Sequence, residues 1–271
     1  MSVIRNEVNK LKFCSLYSGS SGNSLFVESN ESKILIDAGV SVKKIIEALS
    51  SIEVGIQDIN AIVVTHEHID HIKSLGTLAN KYNIPIYANL GTWNGIDNEN
   101  KVPKIEKRNF FKTGEKFEIG DLKIKSFATS HDAMESCGFT IENDGQKLSI
   151  ATDLGEMTNE VINNLKKSKF LLLESNYEPE LLKYCSYPYQ LKRRIAGERG
   201  HLSNNEAGKT ISKLVEYGLE KVILGHLSKE SNFPELAQKT VLNEMMQKGI
   251  KEKEIELSVA SRIEPSKVIE I

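Results

Sequence analysis

The chain has 271 residues, 39% of them hydrophobic, with a formal net charge of −2. That length supports one large core or two small ones, and no run of about 18 apolar residues offers a membrane span. The charge leaves nucleic acid open as a partner, because a local basic patch is enough. The first residues, Met1 to Glu7, are too polar for a signal peptide. Cys14, Cys137 and Cys185 are odd in number and form no CxxC pair, the pattern of reduced thiols in a cytoplasmic protein. Cys137 reads as a buried thiol.

In chain order, apolar runs predict strands over 11–17, 25–28, 33–37 and 61–65. A helix is expected over 42–49 with Ser41 as its N-cap, a second from 71 to about 82, and a short strand at 85–88. The second half repeats the style. Strands are expected at 122–129, 138–142, 146–152 and 169–174, helices at 159–167, 204–217 and 234–248, and closing strands at 255–260 and 267–271. No 20–50-residue repeat, low-complexity tract or linker interrupts this order. Strand-rich halves with flanking helices predict two packed sheets covered by helices on both outer faces.

The chemistry gathers at strand ends. His66-Glu67-His68-Ile69-Asp70-His71 follows the run 61–65, His131 follows 124–130, Asp153 follows 148–152, and His226 follows 222–225. Imidazole nitrogen and carboxylate oxygen are the ligands zinc takes when no thiolate is used. Seven such residues exceed what one catalytic ion needs, so the expectation is a pair of divalent ions. The imidazoles favour zinc, and the carboxylates also suit manganese.

HEHIDH resembles the signature of the metallo-β-lactamase-fold hydrolases. The resemblance implies an αβ/βα four-layer sandwich, two mixed sheets flanked by helices, as a single domain over 1–271. It implies His66, His68 and His131 at a first metal, Asp70, His71 and His226 at a second, and Asp153 as the bridging carboxylate. Asp70 would also act in catalysis by orienting the attacking water. Asp37, in ILIDAG, resembles the family's early aspartate and would orient a ligand imidazole. It also reads as a plain turn aspartate before glycine. Redox members of the fold resemble HxExDH; His68 in place of that glutamate favours hydrolysis. The stretch between Asp153 and His226 is too short for the β-CASP insertion of many nucleases of this fold.

Two divalent ions set against Asp70, Asp153 and a hydroxide leave about one positive charge, which suits an anionic phosphodiester. Arg199-Gly200-His201-Leu202-Ser203-Asn204 is similar to the histidine-led loop-to-helix motif of tRNA 3′-processing enzymes of this fold. That similarity implies His201 facing the scissile phosphate as a proton donor; the other reading is a histidine that packs its loop. Tyr17 to Ser24, Thr129 to Ala133, the RGHLSN stretch and Gly225 to Asn232 together resemble the YycJ/WalJ group, bacterial proteins of this fold regarded as DNA 5′-exonucleases. Ser20, Asn23 and Ser228 would then contact phosphate or base, against the ordinary turn chemistry of Ser and Asn. Lys183, Lys192, Arg193, Arg194 and Arg199, interleaved with Tyr184, Tyr187 and Tyr189, read either as a nucleic-acid surface or as a solvated helix face over packed tyrosines. Rival activities are hydrolysis of small or cyclic-nucleotide phosphodiesters and a glyoxalase- or lactamase-like reaction. Oligomeric state leaves no mark in the sequence.

Overall fold

A computed structural model describes residues 11–98 and 103–271. The polar N-terminal stretch read above lies outside the described residues.

Among the described residues, fourteen strands fall into two sheets of seven. The first contains β1 (Lys12–Tyr17), β2 (Ser24–Glu28), β3 (Lys33–Ile36), β4 (Ala61–Val63), β5 (Ile86–Ala88) and β6 (Arg108–Phe110). The second contains β7 (Lys116–Ile119), β8 (Leu122–Ala128), β9 (Cys137–Asn143), β10 (Gln146–Ala151), β11 (Phe170–Glu174), β12 (Lys221–Gly225) and β13 (Glu256–Val259). β14 (Ile269–Glu270) returns to pair with β1 in the first sheet. The orders are β14-β1-β2-β3-β4-β5-β6 and β13-β12-β11-β10-β9-β8-β7. Each sheet is antiparallel on one side and parallel on the other, the change falling at β3 and at β10.

Alternating side chains build the layers. In β3, Ile34 and Ile36 face the other sheet while Leu35 faces outward; in β11, Phe170 and Leu172 face inward while Leu171 and Leu173 face outward. A period of two makes one face of each strand the inner core and the other a seat for helices. Phe13 and Phe170 meet across the inner layer with ring centroids 4.5 Å apart. Outside the first sheet lie α1 (Val42–Ser51), α2 (Ile69–Ile72), α3 (Leu75–Tyr82) and α4 (Leu90–Asn98), contributing Ile45, Leu49, Ile72, Leu78 and Trp93. The second sheet is covered by α5 (Asn159–Leu165), α8 (Asn204–Val215) and α9 (Pro234–Gln247), which supply Val161, Ile211, Leu214 and Val241. Two short helices, α6 (Pro179–Tyr184) and α7 (Tyr189–Ile195), stand between β11 and α8. Each fully buried aliphatic or aromatic side chain contributes about 1.5–3 kcal/mol. The result is the expected four-layer sandwich.

Sequence and structure differ at particular places. The helix expected from 71 to 82 is two pieces, and its first turn opens earlier, at Ile69. Ser74 breaks it: its N–H donates to the Ala38 carbonyl at 2.9 Å and its hydroxyl to the Val40 carbonyl. The unexpected α4 (LGTWNGIDN) is rich in Gly and Asn, weak helix formers held here by Trp93 and Ile96 in the core. β6 and β7 are only three and four residues long, too short for a strand period to stand out in the sequence. Among the described residues, no helix is long and apolar enough to cross a membrane.

Candidate metal centre

The parallel strands β3, β4, β10, β11 and β12 share one direction within each sheet, and their C-terminal ends deliver the chemistry to one edge of the sandwich. Asp37 follows β3, the HEHIDH loop follows β4, Asp153 follows β10, Glu174 ends β11 and His226 follows β12. Asp37, Asp153 and His226 all have positive φ, at 63°, 58° and 54°. A non-glycine residue in that region costs on the order of 1 kcal/mol or more and turns the chain sharply. The His226 turn is held by its N–H on the Ser18 hydroxyl at 2.9 Å, and the Asp37 turn by its N–H on the Val63 carbonyl at 2.9 Å.

Gly39 lets the HEHIDH loop close. A Cβ on it would stand 1.5 Å from the carbonyl oxygen of Asp70, so only glycine allows that approach. The same carbonyl accepts from the Asn23 N–H at 2.8 Å, and the Asn23 carbonyl from the Gly39 N–H at 2.7 Å.

Four groups of side chains converge. His66, His68 and His131 form one, Asp70, His71 and His226 another, His66, His71 and Asp153 a third, and Asp153, Glu174, His201 and His226 a fourth; in each, the candidate ligand atoms lie within 4.8 Å of one another. Asp153 stands between the first two, with Oδ1 3.7 Å from His131 Nε2 and Oδ2 3.4 Å from His71 Nε2.

For three of the rings, a partner on the far side fixes which nitrogen turns toward the centre. His71 Nδ1 donates to Asp37 Oδ2 at 2.7 Å, His226 Nδ1 to Glu174 Oε1 at 2.6 Å, and His131 Nδ1 to the Gly200 carbonyl at 3.0 Å. These oxygens can only accept, so the proton sits on Nδ1. Thr65 donates its hydroxyl to Asp37 at 2.8 Å and therefore accepts from His66 Nδ1 at 3.0 Å. Nε2 of His66, Nε2 of His226 and Oδ2 of Asp153 are buried with no hydrogen-bond partner. Leaving such atoms unmatched costs about 1–3 kcal/mol each. Three such atoms along one edge, two of them on rings aimed by outer hydrogen bonds, fit a place built for cations.

Charge tells the same story. Burial, with His71, His131, His68 and His226 nearby, pushes His66 well below its ordinary value. Burial opposes charge on His71 too, but Asp153, Asp37 and Asp70 outweigh it and push that imidazole up to about 9. His226 is likewise pushed well up against burial by Asp153, Asp70 and Glu174. The Asp70 carboxyl lies well below its ordinary range, because His71 and His226 overcome the burial that would raise it.

Glu174 was not singled out in the sequence, where it reads as the last residue of a hydrophobic strand. It is fully buried. One oxygen accepts from both His226 Nδ1 and His201 Nδ1, the latter at 2.9 Å; the other accepts from the N–H groups of Leu154 at 3.1 Å and Leu202 at 2.9 Å. His201 thus lies beside the cluster, its ring 5.1 Å from that of His131 and 5.2 Å from that of His226, with 18% of its side chain open. Ser203 caps α8 next to it, accepting from the Glu206 N–H at 3.3 Å.

Of the remaining sequence candidates, Asn23 joins the cluster and the others lie around it. Asn23 is buried, its amide nitrogen 3.0 Å from His71 Nε2 and its carbonyl oxygen accepting from the Gly19 N–H at 2.9 Å. Ser228 is buried and its hydroxyl accepts from the Ser231 N–H. Ser20 is exposed on its loop. Cys137 is buried, its thiol pushed well above its ordinary value by burial and the Asp37 and Glu135 charges. On the rim, the Arg194 guanidinium forks onto Asp132, and Arg199 donates to the His131 carbonyl at 3.0 and 3.2 Å.

Fold and site together define a metallo-β-lactamase-fold hydrolase. A profile of the beta-lactamase superfamily domain matches residues 32–227, and the chain belongs to that superfamily. It is 37% identical over 238 residues to the exodeoxyribonuclease WalJ of Streptococcus pneumoniae, covering 87% of this chain and 88% of that protein. It is also 37% identical over 239 residues to the exodeoxyribonuclease YycJ of Bacillus anthracis, covering 88% and 90%. The metallo-β-lactamase fold protein YhfI of Bacillus subtilis superposes with a TM-score of 0.70 over 97% of this chain and 100% of its own, at 17% identity, a likeness of fold.

Proposed function

We propose that the chain is a single-domain metal-dependent phosphodiesterase that degrades DNA from an end, in the 5′ to 3′ sense, in the cytoplasm. The observation that carries the reading is the 37% identity to two exodeoxyribonucleases over nearly the whole chain. The site is consistent with it. His66, His68 and His131 would hold one divalent ion and Asp70, His71 and His226 a second, with Asp153 between them; zinc is the first choice and manganese the second. Bound there, the two ions supply positive charge for the phosphate and a water acidified to about pKa 7.

The chain's own groups do the rest. Asp37 and Glu174 keep protons on the outer nitrogens of His71 and His226, so that Nε2 faces the centre. Asp70 orients the attacking water. His201, anchored through Nδ1 on Glu174, has Nε2 left to deliver a proton to the leaving oxygen. Three free cysteines, two of them buried, support a reducing compartment.

The test compares substrates on the metal-loaded protein. Linear DNA should be shortened from its ends and covalently closed circles spared, and a chelator should stop the reaction. Turnover of a lactam, thioester or cyclic nucleotide with none on DNA would overturn the reading.

A further inference from the structure

We propose that α6, α7 and the turn between them form a ledge that binds single-stranded DNA beside the metal centre. Tyr184 and Tyr189 stack on bases, and Lys192 and Arg193 meet phosphates. The proposal rests on the nucleic-acid reading above and extends it from the scissile bond to the strand that leads there.

Position comes first. The end of α7 is clamped to the centre: Arg194 forks onto Asp132, whose Oδ1 is 3.5 Å from His131 Nε2. The His201 N–H donates to the carbonyl of Ile195, the last residue of α7, at 2.9 Å. Tyr189 precedes Arg194 by about 8 Å along the helix axis at the usual rise per residue. Lys192 Nζ donates to the Lys183 carbonyl at 2.8 Å and so ties α7 to the end of α6.

Chemistry comes second. Tyr184 and Tyr189 are each 74% exposed, so neither serves the core. Tyr189, Lys192 and Arg193 stand at i, i+3 and i+4 and share one helix face. The Lys183 ammonium lies 5.0 Å from the Tyr184 ring centroid. From Lys183 to Arg199 there are five basic residues and one acidic residue, Glu198, in a chain whose net charge is −2. Cations beside open aromatic rings suit a strand whose bases are unpaired, because a base held in a duplex keeps its faces stacked on its neighbours.

The experiment uses the metal-loaded protein, a single-stranded oligonucleotide and a bis-nitrophenyl phosphate too small to span the ledge. In Tyr184→Ala/Tyr189→Ala, the ratio of oligonucleotide to small-diester kcat/KM should fall about tenfold or more. The paired Tyr→Phe variant should restore it. Arg193→Glu should lower the same ratio and flatten its dependence on salt. An unchanged ratio, with wild-type protein degrading DNA, overturns the ledge and leaves the nucleic-acid reading standing. An equal fall on both substrates marks a structural role and also overturns the ledge. Wild-type turnover of the small diester with none of any nucleic acid overturns both.

Discussion

One oxygen of Glu174 carries two imidazoles, His226 and His201, and so links a proposed metal ligand to the proposed proton donor. Glu174→Gln removes the charge and turns an N–H donor toward groups that themselves donate. Metal affinity should drop about 10- to 100-fold, with about 1–3 kcal/mol lost from stability. Chelator competition and denaturant titration read the two effects; unchanged affinity would remove the linking role. His201→Ala should keep its metals and lose turnover on DNA by about a hundredfold or more, with a smaller loss on a substrate whose leaving group needs no proton. Loss of metal in that variant would make His201 a ligand instead. His71 is pushed up to about 9, so it is protonated below that value, whereas a metal needs the neutral ring. His226 is pushed up as well, so metal binding at pH 7 should release protons from both rings, and affinity should rise with pH. Calorimetry in two buffers of different ionisation heat measures those protons. Binding at pH 7 with no proton released would contradict the picture.

At the scale of elements, the close seat of the HEHIDH loop on the β3–α1 turn is the most demanding contact. Gly39→Ala places a methyl group against the Asp70 carbonyl, so the loop must move. We expect about 1–3 kcal/mol of destabilisation and weakened binding at the ion that Asp70 and His71 would hold. A denaturation midpoint and metal content unchanged from wild type would show that the turn yields freely. This contact also marks what was legible in the sequence. The strands that deliver the proposed ligands were legible because their apolar runs stop abruptly at His or Asp. Long amphipathic helices such as α8 were legible from period and cap. Gly39's role was not, since close approach of two loops leaves no local pattern. Glu174 escaped because a single acid closing a hydrophobic strand looks like a strand end; its partners are distant in sequence and meet it only when β11 and β12 pair in parallel. The break at Ser74 escaped for a related reason: the hydrogen bonds that cut the helix go to Ala38 and Val40, and long-range bonds override local propensity.

For the whole molecule, the two sheets repeat one plan, antiparallel to parallel, and meet so that loops from both share one edge. Neither sheet holds the site alone: β3 and β4 lead to Asp37, His66, His68, Asp70 and His71, while β8, β10 and β12 lead to His131, Asp153 and His226. Metal binding should therefore couple to folding of both halves, raising the thermal midpoint of the metal-loaded protein above that of the metal-free form. The central claim is that two ions, held across the two sheets, make a nuclease. Its most direct test is to strip the metal, add zinc or manganese back by the equivalent, and follow the shortening of end-labelled linear DNA. Activity should be absent without metal and should rise until it levels off at two ions per chain. DNA degradation by the stripped protein, or none at any metal content in protein shown to bind two ions, would contradict it.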